Sequence, residues 1–258
     1  MAESKNQNFN HLKIHSQFSI CEGAIKIDDL REFSKENKIK AFGLCDTSNL
    51  CGALEFAEKI SKVGTQPIIG TQINFKYEET TGLLPLYALN EDGYKRIIEL
   101  SSMSYLKNDN LSDPHLDLNE LLNITNGISL FSGTINGLFG QLFNKGKFTE
   151  IAELYLKLKS KYNDRFYIEI QRHNDQNEIS FEKFNLSKSS DLEIPIIATN
   201  EVFYINKNMH EAHDALICIK NKTYINEKNR LTYSNQHYLK NNSEMSELFA
   251  DLPEALEN

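Results

Sequence analysis

Short apolar runs of strand length alternate along this chain with longer stretches of helical spacing. The runs at 12–14, 41–45, 67–75, 83–89, 127–131, 165–170 and 194–198 predict strands. Between them, residues 27–36, 50–63, 91–103, 147–162, 178–190 and 210–219 predict helices. Asp28 is placed as the N-cap of the first helix and Gly64 as the stop after the second. Strand and helix taken in turn, with short connections, predict an α/β fold with a largely parallel sheet. So many units in one chain suit a closed barrel better than a small open sheet.

In such a barrel, functional side chains stand at the C-terminal ends of the strands. His15, Asp46, Gln72, Thr134, His173 and Glu201 each follow an apolar run and become the first candidates.

Composition narrows the reading. The chain has 258 residues, 40% hydrophobic and 25% charged, enough for one large domain or two small ones with a sizeable core. The formal net charge of −8 opposes extensive phosphate gripping by the domain's own surface. No apolar run reaches the length of a membrane span, and residues 1–10 lack the apolar core of a signal peptide. A cytoplasmic, membrane-free protein is the expectation. Cys21, Cys45, Cys51 and Cys218 form no C-x-x-C pair and read as free thiols. Gly133, Gly137 and Gly140 match neither the dinucleotide fingerprint nor a P-loop.

The segment HLKIHSQFSICEGAIKI at 11–27 resembles HLHxHSxYSLLDGAxKI, the opening of the PHP domain of bacterial DNA polymerase III alpha subunits. Further blocks resemble the same family in order: AFGLCDTSNLCGALEF, QPIIGTQINF, YALNEDGYKRIIELSSMSYL, RFYIEIQRH, PIIATNEVFYINKNMHEAHDALICI and SEMSELFADLPEALEN. Together they reach from His11 to Asn258. The resemblance implies one PHP domain over 1–258 with a distorted (β/α)7 barrel. It also implies a cluster of divalent ions at the barrel mouth, held by His, Asp and Glu. Such ions clamp a phosphate ester and generate a hydroxide.

Position by position, the ligand set is degraded. Lys13 replaces the first His of H-x-H, whereas His15 keeps the second. Glu22 and Glu201 keep a carboxylate, Asp46 remains, and the His after it is Thr47. Gln72 replaces a Glu, Leu83 a His, Thr134 a Cys and Phe203 a His. The pattern is similar to the proteobacterial branch, in which the site is degenerate, and no metal ion or catalytic residue is expected in this domain. Lys13 is expected to be a resident cation paired with some of Glu22, Asp46 and Glu201, since buried carboxylates need a partner. The alternative is a lysine pointing to solvent. His15 and His173 are expected to remain as hydrogen-bonded groups, with a single zinc ion as the lesser reading. His210 and His213, three residues apart, are assigned to a packing helix, and His115 and His237 to loops without a signal.

The resemblance implies a structural and docking module of a replicative polymerase. Its partners are the rest of the alpha subunit and the proofreading exonuclease (epsilon) subunit. DNA is reached through the full polymerase, whose magnesium-holding aspartates lie outside these residues. Two other readings stand beside it: an active metal-dependent phosphoesterase or 3′–5′ exonuclease, and a free-standing enzyme sharing the fold.

Overall fold

A computed structural model describes residues 9–108 and 113–258; most of the polar opening at 1–10 lies outside them. The sheet is seven-stranded and runs β1-β2-β3-β5-β6-β7, with β4 beside β2. Its strands are β1 (Ala41–Thr47), β2 (Gln66–Tyr77), β3 (Thr80–Ala88), β4 (Leu116–Asp117), β5 (Ile128–Phe131), β6 (Phe166–Ile170) and β7 (Ile196–Ala198). Helices α1 (Ile27–Asn37), α2 (Ala53–Ser61), α3 (Glu91–Leu106), α4 (Leu118–Asn123), α5 (Leu138–Asn144), α6 (Phe148–Tyr162) and α7 (Gln176–Leu192) interleave with them. α8 (His210–Asn221), α9 (Asn242–Leu248) and α10 (Glu254–Glu257) follow the last strand.

The pattern of apolar runs located each long element, but the sheet is mixed rather than largely parallel. Pairing is parallel at β1–β2, β2–β4, β5–β6 and β6–β7. It is antiparallel at β2–β3 and β3–β5. The inversion comes from a two-residue turn between Tyr77 and Thr80, in which Glu78 takes φ +51°. A Glu-Glu hairpin carries none of the Asn-Gly chemistry that normally marks one.

Residues 12–14 do not form a strand of their own. Ile14 alone bridges Leu44 on one side and Val202 on the other. The backbone N–H of Cys45 donates to the Ile14 carbonyl (2.8 Å), and that of His15 to the Val202 carbonyl (2.9 Å). This one-residue staple links β1 to the segment after β7 and curls the sheet into its barrel-like form. It also delivers Lys13 and His15 to the mouth. Gly43 allows the close crossing, because a Cβ there would meet the Leu12 carbonyl oxygen at 2.5 Å.

Helix ends follow local chemistry. Asn90 caps α3 by accepting from the Gly93 N–H (2.9 Å), and Asp175 caps α7 through the Asn177 N–H (2.9 Å). Asp28 is not a cap: α1 starts one residue earlier, and Lys26 precedes it without a side-chain bond. Ile73, Phe75, Leu84, Leu86 and Ile168 pack with Phe139 and Tyr155 in the larger core, and Ile14, Phe42, Phe56 and Val202 form a second. Burial of this extent is the main term holding the sheet against its helices.

Candidate functional site

The mouth of the barrel gathers seven of the eleven candidate positions around one cavity of about 50 Å³, which His15, Asp46, Thr47 and His173 do not line. Lys13, Glu22, Gln72, Leu83, Thr134, Glu201 and Phe203 all line it. They come from the staple, the loop after it, β2, β3 and the segments following β5 and β7.

Lys13 is buried (1% exposed) and lies between two carboxylates. Its Nζ is 3.4 Å from Glu201 Oε1 and 3.5 Å from Glu169 Oε1. Burial alone would pull the ammonium down; Glu169 and then Glu201 outweigh it and hold it above the usual lysine range. Burial would likewise raise Glu201, but Lys13 and His15 keep it well below the ordinary carboxylate range. The ammonium is therefore charged and Glu201 ionised at neutral pH.

The expected partners were one part right. Glu201 is a partner, whereas Glu22 and Asp46 are not. Asp46 Oδ1 accepts from the Ser16 N–H (2.7 Å) and the Ser19 hydroxyl (2.7 Å), and Oδ2 accepts from the Ser16 hydroxyl (2.8 Å). It is spent on folding the loop that follows the staple. Glu22 is 3.9 Å from Lys220 Nζ, and its carbonyl accepts from His213 Nε2 (2.8 Å).

Glu169 is the partner that sequence reading missed. It stands near the end of β6, where the Thr199 hydroxyl and Gln171 Nε2 (3.0 Å) also donate to it. A glutamate inside the apolar run of β6 was the available signal, since a buried strand admits a charge only with a partner.

Two of the substituted positions partner each other, and the rest are satisfied locally or by packing. Thr47 and Gln72 are opposite each other in the β1–β2 register, and Gln72 Nε2 donates to Thr47 Oγ1 (2.9 Å). Thr134 Oγ1 accepts from the Asn136 N–H (3.1 Å) in a tight turn. Leu83 contributes apolar wall. Phe203 is buried within a stack of rings, 4.9 Å from His15, 5.2 Å from His213 and 5.2 Å from His237 between centroids.

His237, assigned no role from sequence, is part of this stack. Its ring lies 4.0 Å from that of His173 with 3° between the planes. The two imidazoles clasp the backbone of Glu201: its N–H donates to His173 Nε2 (3.2 Å), and its carbonyl accepts from His237 Nδ1 (3.0 Å). His173 Nδ1 donates to Glu178 Oε1 (2.9 Å). These bonds fix a neutral His173 with the proton on Nδ1. Burial agrees, pulling His173 down to about 3 and His237 well below its usual value. Glu178 is pushed up to about 7 by its own burial.

The residues do not fit a metal cluster. An ammonium stands among the carboxylates, Leu83 and Phe203 supply no donor, and the His173 Nε2 lone pair is used by a backbone N–H. Among the described residues, no group of three or more His, Cys, Asp or Glu side chains is arranged to hold a metal ion. Of the two histidines expected to remain hydrogen-bonded, His173 is, whereas neither ring nitrogen of His15 has a hydrogen-bond partner; its ring is buried against Phe203, with Nε2 3.4 Å from Glu201 Oε1. His210 and His213 serve packing: His210 Nε2 donates to the Tyr233 carbonyl (3.0 Å), His213 to that of Glu22. His115 is half-buried and bonds the Asp113 carbonyl (2.8 Å).

Comparison with known proteins shows the family. The profile of the PHP domain matches residues 11–173. DNA polymerase III subunit alpha of Caulobacter vibrioides is 35% identical over 267 residues, covering 100% of this chain and 23% of the relative. That of Rickettsia felis is 37% identical over 252 residues, covering 97% of this chain and 21% of the relative. The chain thus spans about a fifth of the length of these relatives. Among solved structures, an amidohydrolase from Chromobacterium violaceum with bound sulfate and no metal shares the fold. Its TM-score is 0.50 at 10% identity, over 75% of this chain and 87% of the other.

Proposed function

This chain belongs to the PHP domain family, and from that premise we propose that it is the PHP domain of a DNA polymerase III alpha subunit, working as a scaffold rather than as an enzyme. Residues 1–258 form one domain, and deoxynucleotide transfer, with its magnesium, belongs to the rest of that polymerase. The domain supports the polymerase core and docks the proofreading exonuclease subunit, and DNA is met through the remainder of the protein. The setting is the cytoplasm; no helix among the described residues is long and apolar enough to cross a membrane.

The observation that carries this reading is the Lys13 ammonium between Glu169 and Glu201. A cation supplied by the chain neutralises carboxylates that would otherwise need a bound one, and it repels a divalent ion by like charge. The net charge of −8 suits protein partners better than a bare phosphate backbone.

Two measurements on the purified chain test the reading. Elemental analysis is expected to find less than one equivalent of tightly held zinc, manganese or iron. Incubation with a phosphate ester and with a labelled DNA primer is expected to release nothing above background. More than one bound metal together with exonuclease activity would establish the active phosphoesterase instead.

A further inference from the structure

We infer that the turn at residues 219–228, where α8 gives way to the following loop, is a docking surface for an acidic, apolar segment of a partner protein. The inference rests on the reading of this domain as a docking module and supplies a surface for it.

Three large apolar side chains stand in water within seven residues: Ile219 is 69% exposed, Tyr224 78% and Ile225 52%. They are held there by a built turn. α8 ends at Lys222 in the left-handed conformation (φ 53°), and the Thr223 N–H donates back to the Cys218 carbonyl (3.0 Å). The Glu227 N–H donates to the Tyr224 carbonyl (3.0 Å), and the Tyr224 N–H donates to Glu227 Oε1 (3.1 Å). Arg230 grips Asp214 of α8 through both guanidinium arms (2.6 Å each), and its Nε donates to the Ile225 carbonyl (3.3 Å). A surface set in advance loses little freedom on binding, and apolar groups grouped this way mark contact sites.

Charge selects the occupant. The chain is acidic overall, yet this turn carries Lys220, Lys222 and Lys228 against Glu227, with Arg230 just beyond it. Arg230 is occupied by Asp214, and Lys220 stands 3.9 Å from Glu22. Lys222 and Lys228 are exposed and make no ion pair among the described residues. Free ammonium groups flanking apolar anchors complement a segment in which carboxylates flank apolar side chains. A nucleic-acid strand fits less well. Ile219 and Ile225 have no planar face, and strand binding stacks successive bases on aromatic rings.

The test measures binding of the purified proofreading exonuclease subunit to the whole 258-residue chain, at low and at high salt. Two double variants are compared with the unaltered chain: Tyr224→Ser with Ile225→Ser, and Lys222→Glu with Lys228→Glu. All four side chains are exposed, so thermal unfolding of both variants is expected to match the unaltered chain. The apolar variant is expected to weaken binding about tenfold or more at either salt. The charge variant should weaken it about tenfold at low salt and much less at high salt. Binding by the unaltered chain and equal binding by both variants overturns the surface and leaves the docking reading intact. No binding by the unaltered chain overturns the docking reading, and the surface with it. Loss of affinity for a labelled single-stranded oligonucleotide, with exonuclease binding unchanged, would overturn the choice of a protein partner.

Discussion

Replacing Lys13 by Met keeps the volume of the stem and removes the charge. Glu169 and Glu201 are then left buried without their ammonium, with Glu201 Oε1 still 3.4 Å from His15 Nε2. Breaking a buried pair from one side costs about 3–5 kcal/mol. Gln171 and Thr199 still donate to Glu169, so the lower end, about 3 kcal/mol, is expected. For a domain of this size that corresponds to a fall in Tm of about 6–12 °C. The pH dependence gives the sharper check. In the unaltered chain Glu201 is held below the ordinary carboxylate range. Its contribution is present above the unfolded value of about 4.3 and lost as pH falls through the lower folded value. Without Lys13, burial dominates and the Glu201 value rises. The penalty is then absent below about pH 4.3 and grows as pH rises through the new value. Urea unfolding should therefore show its largest deficit at pH 8, a smaller one near pH 4.5, and a further decrease as pH falls below about 4.3. Adding Glu169→Gln and Glu201→Gln to the variant should recover most of the loss. A variant within about 0.5 kcal/mol of the unaltered chain at pH 8, or a deficit independent of pH, would refute the account of Lys13 as the resident cation.

His173 is neutral in the fold, pulled down to about 3 by burial, whereas an unfolded His titrates at about 6.5. The unfolded chain binds the extra proton between these values, so stability falls as pH drops from about 6.5 toward 3. His173→Gln, which can still accept from the Glu201 N–H, should lose less stability between pH 7.5 and pH 4.5 in urea titrations; an unchanged acid slope would oppose this. Phe203→Ala empties the centre of the ring stack and should cost about 3–5 kcal/mol in the same assay. Gly43→Ala should cost about 2 kcal/mol rather than give the small gain of an ordinary glycine replacement, because the new Cβ would collide with Leu12 at 2.5 Å; a neutral or stabilised variant would contradict the close crossing.

The α/β alternation was legible because the long runs bury whole strands and helix faces, and β1, β2, α3, α6 and α7 fall where periodicity puts them. The β2–β3 hairpin was not, since its turn relies on Glu78 adopting a left-handed conformation that nothing in Glu-Glu advertises. Residues 12–14 looked like a strand and proved to be a one-residue staple, because strand length depends on neighbours that periodicity does not include. At the mouth, Lys13, Gln72, Leu83, Thr134 and Phe203 were found because the resemblance named their positions. Glu169 escaped the same reading because it fills no position of the lost ligand set. His237 escaped because its segment has no periodic signal, and its role comes from stacking on His173 and Phe203 and from its bond to the Glu201 carbonyl.

The staple at Ile14 also sets an order of events. Its hydrogen bonds join the first residues of the barrel to residues near its end, and the neighbouring His11 donates to the Lys240 carbonyl across 229 positions of sequence (2.7 Å). Contacts of such span are the slowest to form, because the loop they close must be ordered before they return any stabilisation. As the chain leaves the ribosome, Lys13 is made early, but Glu169 and Glu201 emerge only after most of the barrel. The ammonium must stay hydrated until then, and its pairing becomes a late step that reports completion of the barrel. A truncation that removes residues 196–258 is expected to leave a chain with helices and a partial sheet but an open seam, with the β6 edge, stripped of β7, ready to pair with another molecule.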